Sequence, residues 1–363
     1  MTKREQVQQE ALAIALSNKR CGLGISMGVG KTLIGLRYIQ KINEGRLYKA
    51  KVLVVAPKLS IFESWKSDAE KFNINIDDVT FTTYLSLVKQ PKEYNVIILD
   101  ECHSLLYSHD DYLKGFPGKI LGLTGTPPKW SKSEKGEMVN KYCPILYKYI
   151  TDSAVEDKIL NDYKIYVHMI NLSAEKTILK VTKAGKKWYT SEMYDYEYLT
   201  KRCETATTPK TKKFAIIFRM KGLQGYFSKE KYARKLFSSI NEKCILFANT
   251  QEQADRLCNN SYHSNNPDSE SNLDSFSNGT LNKLSCVLQL NEGINIPNLR
   301  AGIIMHAYGN ERKASQRIGR LLRLNPDETA TVHILCYKDT VDEKWVTEAL
   351  KDFDQSKITY LNL

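Results

Sequence analysis

Residues 22–42 read GLGISMGVGKTLIGLRYIQKI, and the fold turns on how that stretch is read. Gly22–Ile25 is a short apolar run. Ser26-Met27-Gly28-Val29-Gly30-Lys31-Thr32 is a glycine-rich turn, and from Lys31 to Ile42 apolar residues recur at helical spacing. Strand, glycine-rich loop and helix is the context in which backbone N–H groups cradle phosphate oxygens at a helix N-terminus. Gly28, Val29, Gly30 and Lys31 would supply those N–H groups. Lys31 adds a positive charge for the outer phosphates, and the Thr32 hydroxyl is placed for Mg2+. The expected ligand is therefore ATP with Mg2+, although Ile25 stands where the full G-x-x-x-x-G-K-T pattern has its first glycine.

Working outward, Lys51–Ala56 (KVLVVA) is a β-branched run stopped by Pro57. A helix with Ile61, Trp65, Ala69 and Phe72 on one face follows it, and Gln6–Asn18 reads as a helix before the loop. Val96–Leu99 leads into Asp100-Glu101, and Ile120–Leu123 leads into Thr124-Gly125-Thr126-Pro127. Strands without alternation, separated by helices, predict a parallel sheet buried on both faces, with ligands at the carboxyl ends of its strands. Asp100 is expected to hold the metal through water, and Glu101 to orient and deprotonate an attacking water. Cys102 and His103 follow; the imidazole either relays state onward or bonds locally.

The pattern resumes late in the chain. Cys244–Ala248, Ser285–Leu288, Ala301–Met305 and Val332–Cys336 read as strands. Gln251–Cys258, Lys313–Leu322 and Val341–Leu350 read as helices, and Asn259–Gly279 as mostly loop. In Gln316-Arg317-Ile318-Gly319-Arg320-Leu321-Leu322-Arg323, the residues Gln316, Arg320 and Arg323 share one helix face. Arginines so grouped suit the charge that develops on a transferred phosphoryl group.

A length of 363 residues allows two cores, and no run nears the ~20 apolar residues of a membrane span. The polar start is unlike a signal peptide, and eight dispersed cysteines without a C-x-x-C pair argue against zinc or disulfides. A cytoplasmic location is expected, that of the host if the source is a phage or virus. The formal charge is +12, and residues 171–243 hold 17 Lys/Arg against 7 Asp/Glu. Aromatics are interleaved there, among them Trp188, Tyr189, Tyr194 and Tyr198. Two readings follow: a nucleic-acid surface, with Lys186, Lys187, Lys212 and Lys213 among its contacts, or a solvated helical face.

Taken in order, these segments resemble the motifs of superfamily 2 helicases and translocases. Val7-Gln8-Gln9-Glu10-Ala11 resembles the adenine-reading glutamine segment, with Gln8 the better-placed residue and Gln9 the alternative. SMGVGKT resembles motif I, VVAPKLSIFESW motif Ia, Thr82-Thr83-Tyr84 motif Ib, LDECH motif II and LTGTP motif III. ILFANT, residues 291–297 and QRIGRLLR resemble motifs IV, V and VI. The glycine-rich loop looks Swi/Snf-like, whereas the DECH box looks closer to phage UvsW-type and XPB-like proteins. Leu324-Asn325-Pro326 departs from the Gly-Gln that follows motif VI in Swi/Snf proteins.

The resemblance implies an α/β fold of two RecA-like parallel-sheet domains in tandem, residues 1–168 and 169–363. A basic, mainly helical insertion of about residues 174–240 opens the second. It implies catalysis by Lys31, Asp100, Glu101, Gln316, Arg320 and Arg323, with coupling through His103, Thr124 and Thr126. Strand contacts would come from Lys58, Thr83, Tyr84, Asn249, Thr250 and Gly293. The activity implied is that of a nucleic acid-dependent ATPase, expected as a monomer, that translocates on and remodels or unwinds single-stranded, duplex or branched DNA. A duplex translocase without strand separation, an RNA helicase and an ATP-gated binding protein are the rivals. A restriction motor is disfavoured, no nuclease domain being evident.

Overall fold

The computed structural model describes residues 1–182, 184–287, 296–306, 327–351 and 353–363. They form two compact units, one built mainly from Met1–Asp162 and the other beginning at Tyr163.

The first unit runs α1 (Lys3–Ser17), β1 (Arg20–Ile25), α2 (Lys31–Asn43), β2 (Val52–Ala56), α3 (Ser60–Lys71) and β3 (Val79–Thr83). It continues with β4 (Val96–Asp100), α4 (Asp110–Leu113), β5 (Lys119–Thr124), α5 (Glu134–Tyr142), β6 (Ile145–Tyr149) and α6 (Thr151–Glu156). Its six strands are ordered β3-β2-β4-β5-β1-β6, and every pairing is parallel. β2 and β4 are buried at every position, which is why their sequences show no alternation. Because β5 lies between β4 and β1 and all three are parallel, the loops after them open side by side at the carboxyl end of the sheet.

The second unit contains β7 (Asp162–Ile170), β8 (Ile178–Val181), β9 (Lys187–Thr190), α7 (Glu192–Glu204), α8 (Pro209–Gly225) and α9 (Phe227–Ser239). Then come β10 (Cys244–Phe247), α10 (Gln251–Leu257), β11 (Ser261–Tyr262), α11 (Ser269–Ser277), β12 (Lys283–Cys286), β13 (Ala301–Ile304) and β14 (Thr329–Tyr337). The helix Val341–Leu350 and β15 (Ile358–Asn362) end it. Seven strands are ordered β11-β12-β10-β13-β14-β7-β15, with parallel pairing of β10 to β12 and β13, of β13 to β14 and of β7 to β15. The expected pair of parallel-sheet domains with a mainly helical insertion is thus present.

The stretch expected as loop holds β11 and α11, because Leu273 and Phe276 turn inward and are buried. The expected helix over residues 313–322 lies outside the described residues.

Buried polar groups fasten the insertion to its sheet. Glu192 at the start of α7 accepts from Ser173 N at 3.0 Å and Ser228 N at 2.8 Å. The Tyr337 hydroxyl meets Ser228 Oγ at 2.9 Å and Lys229 N at 3.0 Å. Lys229, fully buried, pairs with the equally buried Asp342. Breaking such a pair strands a charge and costs about 3–5 kcal/mol, so the insertion's root is held firmly.

Candidate functional site

β1 ends at Ile25 and the chain turns through Gly28 (φ 86°) and Gly30 (φ 105°) into α2. Gly30 is the helix N-cap and offers no side-chain cap, so the first-turn N–H groups are presented to a ligand. A Cβ at Gly30 would sit 2.6 Å from Gln8 Nε2, so the position needs glycine for space as well as for its left-handed backbone. Gln8 is buried and donates to Val29 O at 2.8 Å, while Arg37 Nη1 donates to Gln8 Oε1 at 3.3 Å. Gln9 is exposed. Lys31 Nζ donates to Ile25 O at 3.1 Å, curled back beneath the loop, and Thr32 is half-buried in the first turn of α2.

At the end of β4, Asp100 is buried and held from three sides. Trp65 Nε1 donates to Oδ2 at 2.9 Å, Glu101 N to Oδ1 at 3.0 Å, and Tyr84 OH to the Asp100 carbonyl at 2.9 Å. Glu101 adopts φ 51° and ψ 53°, a left-handed conformation that costs about 1–3 kcal/mol in a non-glycine residue. That turn swings its carboxylate toward β5. His103 Nδ1 lies 3.2 Å from Glu101 Oε2 and 2.8 Å from Thr124 Oγ1, and Thr124 Oγ1 donates to Glu101 Oε2 at 3.4 Å. Thr126 N donates to Thr124 Oγ1 at 3.1 Å, and Thr126 Oγ1 reaches His103 Nδ1 at 3.5 Å. A proton on His103 Nδ1 would go to Thr124 Oγ1, the shortest of these contacts, or be shared with Glu101 Oε2.

The two carboxyls are pushed apart in acidity. Burial, then the adjacent Glu101 charge, raises Asp100 above the usual carboxylate range. Burial opposes charge on Glu101 as well, but the His103 hydrogen bond and charge, with Lys31 and Thr124, hold it below that range. Among the described residues no cluster of three or more His, Cys, Asp and Glu could hold a metal by itself. Two adjacent carboxylates near a glycine-rich loop at a helix N-terminus do suit Mg2+, which binds through one or two carboxylates, water and substrate phosphates. The residues therefore fit the ion.

Trp65 is the participant that the sequence reading missed, having been assigned to an apolar helix face. The available signal was chemical: a fully buried indole N–H requires an acceptor. Gly35 of α2 makes room for it, since a Cβ there would lie 2.4 Å from Trp65 Cη2.

The expected strand contacts fare unevenly. Lys58 is exposed and Thr83 half-buried. Tyr84 is buried, its hydroxyl committed to Asp100 O and its ring tilted against His109 with centroids 5.6 Å apart. That hydroxyl supports the Asp100 backbone. In the second unit Asn249 N donates to Gln253 Oε1 at 2.9 Å, and exposed Thr250 caps α10 through Gln253 N at 3.2 Å. Lys186, Lys187, Lys212 and Lys213 are exposed. Gly293, Gln316, Arg320 and Arg323 lie outside the described residues.

Known proteins match along most of the chain. The model for the res subunit of type III restriction enzymes matches residues 2–84, and the helicase conserved C-terminal domain model matches residues 228–325. The DNA 3'-5' translocase XPB2 of Sulfurisphaera tokodaii is 24% identical, over 92% of this chain and 82% of that protein. Among solved structures, the type ISP restriction-modification enzyme LlaBIII bound to DNA superposes with a TM-score of 0.64 at 15% identity. That match covers 100% of this chain but only 31% of LlaBIII. The Pyrococcus furiosus Hef helicase domain gives 0.54 at 16% identity over 95% and 98% of the two chains. S. cerevisiae Dbp5 bound to RNA and ADP BeF3 gives 0.58 at 13% identity, over 98% and 89%. At these identities the structures establish fold: both sheets are RecA-like domains in tandem.

Proposed function

Because the chain belongs to the superfamily 2 helicases and translocases, nucleic acid-dependent enzymes that hydrolyse ATP, we propose that it uses ATP to move along DNA and to remodel or unwind it. One observation carries the reading. Lys31 after β1, the Asp100-Glu101 pair at the end of β4 and Thr124 at the end of β5 come from adjacent strands and share the carboxyl end of the sheet.

In this reading the N–H groups of Gly28 to Lys31 take phosphate oxygens, and Lys31 exchanges the Ile25 carbonyl for a phosphate. Gln8 serves the adenine end and steadies the loop through Val29. Thr32 and Asp100 would hold Mg2+, which when bound neutralises charge on the phosphates. Glu101 orients the attacking water and accepts its proton once freed from His103, while Thr124 and Thr126 pass that exchange toward the nucleic-acid side. Gln316, Arg320 and Arg323 answer the charge developing on the transferred phosphoryl group.

DNA is favoured over RNA by the XPB2 relative, described as a DNA translocase, and we extend its 3'-5' direction to this chain. A role in replication, recombination or repair in a phage-infected or virus-infected cytoplasm rests on the Lys-, Asn- and Tyr-rich composition. ATPase rates with single-stranded DNA, duplex, forked DNA and RNA test the proposal. Stimulation by DNA forms is expected. A rate indifferent to all four, or raised by RNA alone, would overturn it.

A further inference from the structure

The α7–α8 pair of the insertion carries an exposed aromatic face. Along α7, Tyr194, Tyr198 and Arg202 stand at intervals of four, while Leu199 and Cys203 turn inward. Along α8, Lys210, Phe214, Phe218 and Lys221 form the matching stripe, while Ala215 and Leu223 are buried. Tyr194, Tyr198, Phe214 and Phe218 are 54%, 60%, 51% and 49% exposed. The stripes meet at Arg202, whose guanidinium carbon lies 5.8 Å from the Tyr198 ring centroid and 5.7 Å from that of Phe218. The two rings and the guanidinium thus belong to one continuous surface.

Half-exposed rings at four positions cost solvation unless something covers them. The charge around them selects the cover. Residues 192–225 hold seven Lys/Arg against four carboxylates, and two of those four, Glu192 and Asp195, are buried in internal contacts. A second copy of the chain would bring the same positive charge and be repelled. A polyanion is attracted, yet phosphate contacts alone call for cations rather than rings. In an intact duplex the π-faces of the bases are stacked on one another, so exposed rings find no partner there. An unpaired strand offers both phosphates and free base faces.

We infer that the α7–α8 face is a stacking platform for unpaired DNA bases, with Tyr198 and Phe218 at its centre and Arg202 bridging them. This rests on the proposed action on DNA and makes the single strand the ligand of this part of the insertion. The polar root at Glu192, Ser228 and Tyr337 then ties the platform to β14.

Fluorescence anisotropy with the full chain tests the platform. The probes are a labelled mixed-sequence DNA strand, its blunt duplex and the equivalent RNA strand, each titrated without nucleotide over a series of salt concentrations. Tyr198→Ala with Phe218→Ala should weaken the single strand about ten- to hundredfold and leave the duplex nearly unchanged. The salt slope should stay as it was, since no cation is removed. Arg202→Lys, which keeps the charge, should weaken the single strand in the same sense, and circular dichroism melting checks that both variants fold. Equal losses on strand and duplex, or no loss on either, would overturn the platform. So would a self-association that the double substitution abolishes, and a larger loss on RNA would overturn the choice of DNA. If the unsubstituted chain binds no DNA and its ATPase ignores DNA, the proposed function falls and the platform with it. If DNA binding and stimulation are intact and the variants change nothing, the platform alone falls.

Discussion

The strand-end constellation of the first unit and the α7–α8 face of the second are both polar, yet they are built by opposite means. In the first, Asp100, His103 and Thr124 are buried and each side chain has specific partners, among them Trp65, Glu101 and Thr126. In the second, cations and rings stand in solvent on two helices and interact with few fixed partners. A buried network concentrates its free energy, because removing one member leaves others unsatisfied in a low-dielectric setting. An exposed surface spreads it, because each cation acts through a screened field. Single substitutions should therefore be severe in the first region and mild in the second.

The strongest test of that contrast is at Lys31 and Glu101. Lys31→Ala and Glu101→Gln should each lower DNA-stimulated turnover by about 10²–10⁴-fold, leaving circular dichroism and thermal melting close to those of the parent chain. Glu101→Gln should still bind nucleotide. Turnover within a few-fold of normal in Glu101→Gln would remove it as the base and break the contrast at its centre.

Trp65→Phe probes the same network one step from the chemistry and should have a smaller effect. The ring volume is largely kept and the hydrogen bond to Asp100 Oδ2 is removed. A hydrogen bond to a charged group contributes about 1.5–3 kcal/mol, so a loss of about tenfold or more is expected. It should appear as a raised Mg2+ requirement for turnover, with nucleotide binding in the absence of metal unchanged. A change in metal-free nucleotide binding alone would make Trp65 a packing residue for α2 through Gly35 instead.

The contrast also explains what could be read in advance. Phosphate chemistry needs certain residues within a few positions of a strand end, so Lys31, Asp100, Glu101 and Thr124 declared themselves by short spacing after apolar runs. β2, β4 and β5 were legible for the same reason, being buried on both faces. The hydrogen bonds of Trp65 and Tyr84 to Asp100 were not legible because that partner is 35 and 16 residues away, a distance that the sheet order β3-β2-β4 closes. α11 was missed because two buried apolar side chains suffice to dock a short helix, and its polar composition outweighed them. In the insertion, composition announced a basic aromatic region but could not say which rings face outward together. That depends on how α7 and α8 lie against each other, which periodicity within either helix does not reveal.

Neutralising Lys186, Lys187, Lys212 and Lys213 tests the mild end of the contrast. All four are exposed, on the β8–β9 hairpin and on α8. Removing one phosphate-binding cation should reduce the slope of log affinity against log salt by about 0.7–0.9, so the quadruple Gln variant should lose about 3 in slope. Each single variant should shift affinity only slightly, because neighbouring cations and released counterions compensate. Stability should hardly move, as no buried group is deprived of a partner. An abrupt loss in one single variant would mean that this lysine meets a phosphate in a fixed pocket, making that part of the insertion a built site like the first unit's. An unchanged slope in the quadruple variant would mean that these lysines merely solvate the helices and hairpin. In that case the nucleic-acid surface of the insertion would lie on the aromatic stripe of α7 and α8 alone.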